Sequence, residues 1–437
     1  MKNSLKSSAL GLQHVLAMYA GAVLVPLIVG GSLGLTPTQL TYLISIDILM
    51  CGVATLLQIM NTRYFGIGLP VVLGCTFTAV GPMIAIGSEY GISAIYGSII
   101  VSGIFVIFIS RFFGSLVRFF PPVVTGSVVT IIGITLIPVA INNVGGGQGA
   151  ADFGSFTNIG LGFGTLLLII FIYKFFTGFI RAISILLGLV GGTVAAMFMN
   201  LVDFSAVGDA SYLHMVQPFY FGPPTFQITA ILTMILVAMV SLVESTGVYF
   251  ALGDICEEDI KQKDLEKGYR AEGLATLIGG IFNALPYTTF SQNVGLIQMS
   301  GVKSRKVIAI AGVMLITLGF VPKIAAMTQV IPVAVLGGAM IAMFGMVISQ
   351  GIKMLSKVIT TSEENSLIIA CSVGIGLGVT VAPDLFTLLP KSLQILTSNG
   401  IVAGSITAIT LNIVFNMLPS RKEKPVLPKE KVVKVNG

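Results

Sequence analysis

Apolar residues in this chain do not form the narrow stripe of a helix lying on a water-soluble core; they run on, uninterrupted by charge, for about 20 residues at a time. That is the length needed to cross ~30 Å of hydrocarbon. The runs fall at residues 9–30, 39–60, 66–86, 93–114, 121–142, 159–178, 182–202, 226–252, 269–284, 289–300, 305–322, 328–349, 364–383 and 398–418, giving about fourteen predicted crossings of an all-α polytopic membrane protein. The ninth and tenth are separated by Pro286, and neither half alone is long enough to span. Lys2 and Lys6 precede an apolar stretch from Ala9 to Ile28 with no small-residue cleavage site, which predicts a first span and not a removable signal.

Two of these segments are interrupted in the same way. Gly68 to Met83 reads GLPVVLGCTFTAVGPM, and Phe282 to Ile297 reads FNALPYTTFSQNVGLI. Each holds an extended, Pro-bearing, Thr-rich stretch, read as a short strand, followed by a small-residue helix start near Thr76-Phe77 or Ser291-Gln292. They are the third and tenth segments, so each is the third of its half if the chain divides evenly. A repeat of odd span number places the second half upside down relative to the first, the inverted-repeat plan of secondary transporters. Unpaired backbone at membrane depth survives only where it faces protein or a watery cavity. The two helix starts would therefore offer free N–H groups and positive dipole ends to a polar solute.

Composition supports the same class. Hydrophobic residues make up 55% of the 437 positions and charged residues only 10%, too few to hydrate the surface of a soluble fold, and mean hydropathy is +0.97. The net charge of +6 does not indicate a nucleic-acid partner, because its distribution follows topology. With the N-terminus inside, all but Lys323 and Lys391 of the 24 cations fall in inner loops, at inner segment ends or in the basic tail from Arg421 to Gly437, which places both termini in the cytoplasm. The tail is a topology determinant that could also meet anionic membrane lipid. Cys51, Cys75, Cys256 and Cys371 lie in or beside apolar segments with no CxxC pair, so they are expected to be packing residues, without disulfides or bound metal. His214 falls in an outside loop and carries no site.

Ionisable residues inside spans are expensive and functional by default. Glu244, in VAMVSLVESTGVYFAL, lies more than two turns from any loop and is a ligand candidate, with a protonated acid bonding a neighbouring helix as the alternative. His14, after Gln13 in the first span, either orients a neighbouring group or touches substrate. Asp47, in SIDILMCG, is a counter-charge or, more simply, a packing acid. Glu272, beside Arg270 in GYRAEGLATLIGG, is read as either a charge-paired gate residue or part of proton coupling. A membrane enzyme is not supported, since no HExxH, DxD or Ser-His-Asp set occurs, and no P-loop supplies ATP coupling or another cofactor.

The run from Gln292 to Gly301, QNVGLIQMSG, resembles the signature of the nucleobase-ascorbate transporter (nucleobase:cation symporter-2) family: Gln/Glu/Pro-Asn-x-Gly, four free positions, then Thr and Arg/Lys/Gly. Ser300 replaces Thr and keeps the hydroxyl. Gln13-His14 and the ESTG run from Glu244 to Gly247 are similar to further family motifs, and the resemblance covers essentially the whole chain. It implies two inverted repeats of about seven spans, with a core domain from residues 1–120 and 226–326, a gate domain from 121–225 and 327–420, and the tail 421–437. It also implies homodimers formed through the gate domain.

For the site, the resemblance implies that Glu244 and Gln292 hydrogen-bond the edge of a base, that Phe77 packs on its ring, and that backbone near Thr76, Phe77, Ser291 and Gln292 assists. Asn293 is expected to brace the helix start. Xanthine alternates N–H donors and carbonyl acceptors along one edge, so a carboxylate can accept while an amide both donates and accepts. Uracil-type members tend to carry Glu where Gln292 stands and His where Val248 stands, which points this chain to the purine branch, and its runs QHVLAMYAGA and FPPVVTGSVVTIIGITL resemble bacterial xanthine permeases. The expected function is proton-coupled import of a purine, xanthine first, with uric acid, uracil or, on the same plan, an inorganic anion as alternatives.

Overall fold

The computed structural model describes residues 2–418 apart from 117, 118, 214, 357, 360, 361, 391–393, 395, 396 and 398. Arg118, His214, Lys357, Lys391 and the tail from Arg421 to Gly437, all used in the topology reading, lie outside the described residues. The first half comprises α1 (Lys2–Ser32), α2 (Pro37–Ile59), β1 (Leu73–Cys75), a 3-10 turn (Phe77–Ala79), α3 (Val80–Tyr90), α4 (Ile92–Leu116), α5 (Pro122–Val144), α6 (Phe156–Phe175), α7 (Gly178–Ala182), α8 (Ser184–Phe198) and α9 (Ser205–Asp209). The second half comprises α10 (Ile228–Cys256), α11 (Gln262–Ile281), β2 (Tyr287–Thr289), α12 (Ser291–Ser300), α13 (Arg305–Gly319), α14 (Pro322–Gln329), α15 (Val333–Leu355), α16 (Glu363–Val381) and a last helix, Gly400–Asn412.

Local chemistry sets the boundaries. Thr36 caps α2 through a reciprocal box with Gln39, and Pro37 occupies the first helical position, where its missing N–H costs nothing. Gly91, at φ 85°, separates α3 from α4. Between α13 and α14 the chain bends by 79°, because Pro322 disfavours helical backbone at Val321. The segment expected to end at 322 therefore continues as a second, differently directed helix.

Among the described residues nine helices are long and apolar enough to cross a membrane, or ten if the bent pair counts as one span. The remaining predicted crossings coincide with elements that length alone does not qualify: β1 with α3, β2 with α12, the 15-residue α8, and α11, whose first half is charged. The helices pack in two groups. α1 to α4 gather with α10 to α13, chiefly through α4 on α11 and α2 on α13; α5, α6, α8, α15, α16 and the last helix form the other, chiefly through α5 on α15. Small residues permit the closest approaches: a side chain on Gly103 of α4 would sit 2.9 Å from the Gly273 carbonyl of α11.

The two interrupted segments meet at the centre. β1 and β2 pair antiparallel, Leu73 with Thr289, Gly74 with Thr288 and Cys75 with Tyr287. The ladder extends at both ends, Phe290 N–H donating to the Val72 carbonyl at 2.9 Å and Thr76 N–H to the Pro286 carbonyl at 2.9 Å. Phe290 packs its ring over Gly74 and against Gly21 of α1, leaving no room for a methyl at either. Gly74→Ala would place its Cβ 2.5 Å from the Phe290 ring. That overpacking is expected to cost ~1–3 kcal/mol, read as a lowered Tm of the purified protein and partly restored by adding Phe290→Leu.

Candidate functional site

The paired strands aim two helix starts at one region. Thr76 follows β1 and caps the 3-10 turn, its Oγ1 accepting from Thr78 N–H at 3.3 Å and lying 3.4 Å from Ser241 Oγ on α10. Phe77 follows, half-buried, with its ring edge-to-face on Phe344 of α15 at 6.0 Å between centroids. Ser291 and Gln292 open α12 and are exposed. The first N–H groups of a helix lack intrahelical partners, so this turn offers backbone donors beside the Gln292 amide. α10 packs on the 3-10 turn, on β2 and on α12, and so carries Glu244 past both helix starts. Glu244 is partly exposed and, among the described residues, has no hydrogen bond or ion pair. Val248, one turn on, is buried and apolar.

The other expected residues stand behind this front. Asn293 is buried; its Nδ2 lies 3.1 Å from His14 Nδ1 and donates to the His14 carbonyl at 3.1 Å, tying α12 to α1. Gln13 is half-buried beside it. Asp47 is fully buried with no cation. Its Oδ1 accepts from Leu285 N–H at 2.9 Å, and its Oδ2 accepts from the Cys75 thiol. It thus holds α2 to β1 and to the chain just before β2, as a packing acid would.

One of the two alternatives for Glu272 needs correction. Arg270 does not pair with Glu272; it bonds Glu266, one turn back. Residues two apart on a helix point to opposite faces, so the sequence neighbour was the wrong partner. Glu272, 2% exposed, instead accepts from Tyr249 on Oε1 and from Ser245 on Oε2 at 3.1 Å. Cys51 and Cys75 are buried and free, as expected of packing residues. Their sulfurs lie 4.0 Å apart, and with Asp47 they bring three ligand atoms within 4.8 Å of one another. The Asp47 carboxylate in this cluster is already engaged on both oxygens.

Sequence reasoning missed Ser241, Ser245, Tyr249, Thr288 and Gln58, all buried and all joined to Glu272 or Thr76 through hydrogen bonds. The available signal was that Gln58 and Tyr249 are polar groups in otherwise apolar runs. A cavity of about 340 Å³ between Tyr42, Ser45 and Gln217 contains none of the expected residues. At one end of the bundle, Lys267 donates to Asn61 at 2.8 Å and Lys303 meets Glu257 at 2.7 Å, linking loops expected on the cytoplasmic side.

A family model described as a permease family (Xan_ur_permease) matches residues 5–385. The chain is 65% identical over 418 residues to a xanthine permease of Bacillus subtilis (strain 168), covering 96% of this chain and 95% of that one. It is 64% identical over 413 residues to the uric acid permease PucK of the same organism, covering 94% and 96%. Among solved structures it resembles the transmembrane domain of a cyanobacterium bicarbonate transporter, BicA, with TM-score 0.64 at 16% identity, covering 93% of this chain and 97% of that one.

Asp47→Ala would leave the buried Leu285 N–H without an acceptor at a cost of ~1–3 kcal/mol. A fall in Tm of several degrees is expected, with Asp47→Asn, which keeps an acceptor oxygen, falling less.

Proposed function

Because the chain belongs to the nucleobase–cation symporter-2 permeases, we propose that it imports an oxopurine, xanthine in the first place, together with protons. It is an integral membrane transporter and not an enzyme. The observation that carries the cargo is the Glu244 carboxylate, held on α10 without an internal partner beside the helix starts at Phe77 and Gln292. A carboxylate so placed accepts from ring N–H groups, and the Gln292 amide complements a carbonyl and its neighbouring N–H. A base with the wrong pattern leaves these groups unpaired. Phe77 supplies the flat apolar face.

In this reading the chain crosses the membrane about fourteen times in two inverted repeats, with both termini in the cytoplasm. The helices of 1–120 and 226–326 form a core that carries the site, moving against a gate of 121–225 and 327–420, through which two copies pair. Buried carboxyls take the coupling proton, and Glu272, satisfied by hydroxyls and not by a cation, is suited to gain and lose one.

Uric acid is the second cargo, favoured by the near-equal identity to relatives named for each purine. Uptake of labelled xanthine, competed by uric acid, guanine, hypoxanthine and uracil with and without a proton uncoupler, tests the proposal. Competition by oxopurines and not uracil, lost with the uncoupler, is expected; failure of every oxopurine to enter refutes it. Glu244→Gln removes a charged acceptor, a contact of ~1.5–3 kcal/mol, and is expected to weaken xanthine binding about 10- to 150-fold.

A further inference from the structure

Glu272 is joined to the strand that precedes α12 by a chain of hydroxyls. Ser245 Oγ lies 3.1 Å from Glu272 Oε2 and 3.2 Å from Thr288 Oγ1, in a contact where either hydroxyl can donate. Thr288 Oγ1 lies 3.5 Å from the Ser241 carbonyl. Ser245 Oγ also accepts from Thr289 N–H at 3.3 Å, which fixes the serine oxygen against β2, and the Thr289 hydroxyl lies 3.3 Å from the same oxygen. All of these side chains are buried.

The two oxygens of Glu272 are not equivalent. On Oε1 the Tyr249 hydroxyl donates, while the Tyr249 oxygen itself receives an N–H from Gln58. Gln58 is locked in turn, donating to the Gly268 carbonyl at 3.1 Å and accepting from Ile67 N–H at 3.1 Å. Its amide therefore cannot turn to accept the tyrosine proton, and Tyr249 is a fixed donor. On Oε2, Ser245 has a second acceptor available in Thr288, so its hydroxyl can turn. The titratable groups facing Glu272 are Tyr249 and Glu244 from α10, Tyr269 from its own helix and Tyr287 of β2, none of them a cation. A cavity of about 20 Å³ beside Glu272, walled by Ser102, Ser241 and Thr276 among others, has room for about one water that could deliver the proton.

We propose that Ser245 and Thr288 form a reversible hydroxyl relay that reports the protonation of Glu272 to the strand carrying the substrate-binding helix start. With Glu272 ionised, Ser245 O–H donates to Oε2 and Thr288 O–H donates to Ser245. With Glu272 protonated at Oε2, its O–H donates to Ser245, Ser245 O–H turns to Thr288 Oγ1, and Thr288 O–H turns to the Ser241 carbonyl. Every hydroxyl keeps its own proton; only the directions reverse. Thr288 pairs with Gly74 across the sheet and stands two residues before Phe290, the residue that precedes α12, so the reversal acts between both helix starts. Ser245 and Thr288 are positioning residues in this scheme. The relay rests on the proton-symport reading above.

The test uses the full chain in proteoliposomes, comparing wild type, Thr288→Val, Thr288→Ser and Ser245→Ala. Labelled xanthine is followed in exchange without a gradient and in accumulation against an imposed pH gradient. Thr288→Val keeps the side-chain shape and removes the hydroxyl. It is expected to exchange within about threefold of wild type while its accumulation ratio falls to about 1, the value for uncoupled ligands. Ser245→Ala should show the same split and Thr288→Ser should accumulate normally. Gradient-driven accumulation by both Thr288→Val and Ser245→Ala overturns the relay, and so does loss of exchange in step with accumulation, which would mark a structural role. A wild-type chain that exchanges xanthine but never accumulates it under the gradient overturns the symport reading itself, and the relay with it.

Discussion

The need to satisfy backbone polar groups where no water reaches governs the centre of this protein. Two segments leave helical geometry at membrane depth, and each would strand N–H and C=O groups at a cost of several kcal/mol per group if left alone. They solve the problem for each other. β1 and β2 close a short antiparallel ladder, extended by Phe290 to Val72 and by Thr76 to the Pro286 carbonyl. Pro286 has no N–H to strand, so it ends the strand connection without an orphan. Because the strands come from opposite halves of the chain, the satisfaction of one break depends on the other. The helix starts that follow are fixed relative to each other as a consequence.

The acids around this ladder divide by what answers them. Asp47 is answered by the backbone of Leu285 and the thiol of Cys75 and holds elements together. Glu272 is answered by two hydroxyls, one fixed and one able to turn. Glu244 is answered by nothing among the described residues and stands partly exposed on the helix that faces both breaks. An acid left without an internal partner is free to take one from outside. The surroundings of the three carboxyls thus differ, a clip at Asp47 and, in the proposed reading, a switch at Glu272 and a ligand at Glu244, although their side-chain chemistry is nearly the same.

Which parts were legible in the sequence follows from how local each signal is. Pro286 and the Thr-rich runs announced the breaks, and charge depletion announced the spans, because both are properties of contiguous residues. The QNVGLIQMSG run placed Gln292 at a helix start. Tertiary partnership was not legible. Asp47 and Leu285 lie 238 positions apart, and Ser245 and Glu272 meet from different helices. The partner of Arg270 was left open for the same reason: it stands near Glu272 in sequence, but helical phase turns it to Glu266. Counting crossings by apolar length was weakest at the two breaks, since β1 with α3 and β2 with α12 are too short to qualify as spanning helices.

The resemblance in fold to a bicarbonate transporter sharpens what the site must decide. Two facing helix starts present positive dipole ends and, taken alone, favour an anion. A scaffold of this kind does not select its cargo; the side chain set between the helix starts does. In the proposed reading that side chain is the Glu244 carboxylate, which would repel a small inorganic anion and offer acceptors where the helix starts offer donors. A solute satisfying both must carry donors and acceptors side by side on one rigid edge, and a flat ring is the compact way to hold them in register against Phe77. The edge of an oxopurine meets that description, whereas a symmetric oxyanion, which only accepts, would leave Glu244 facing like charge.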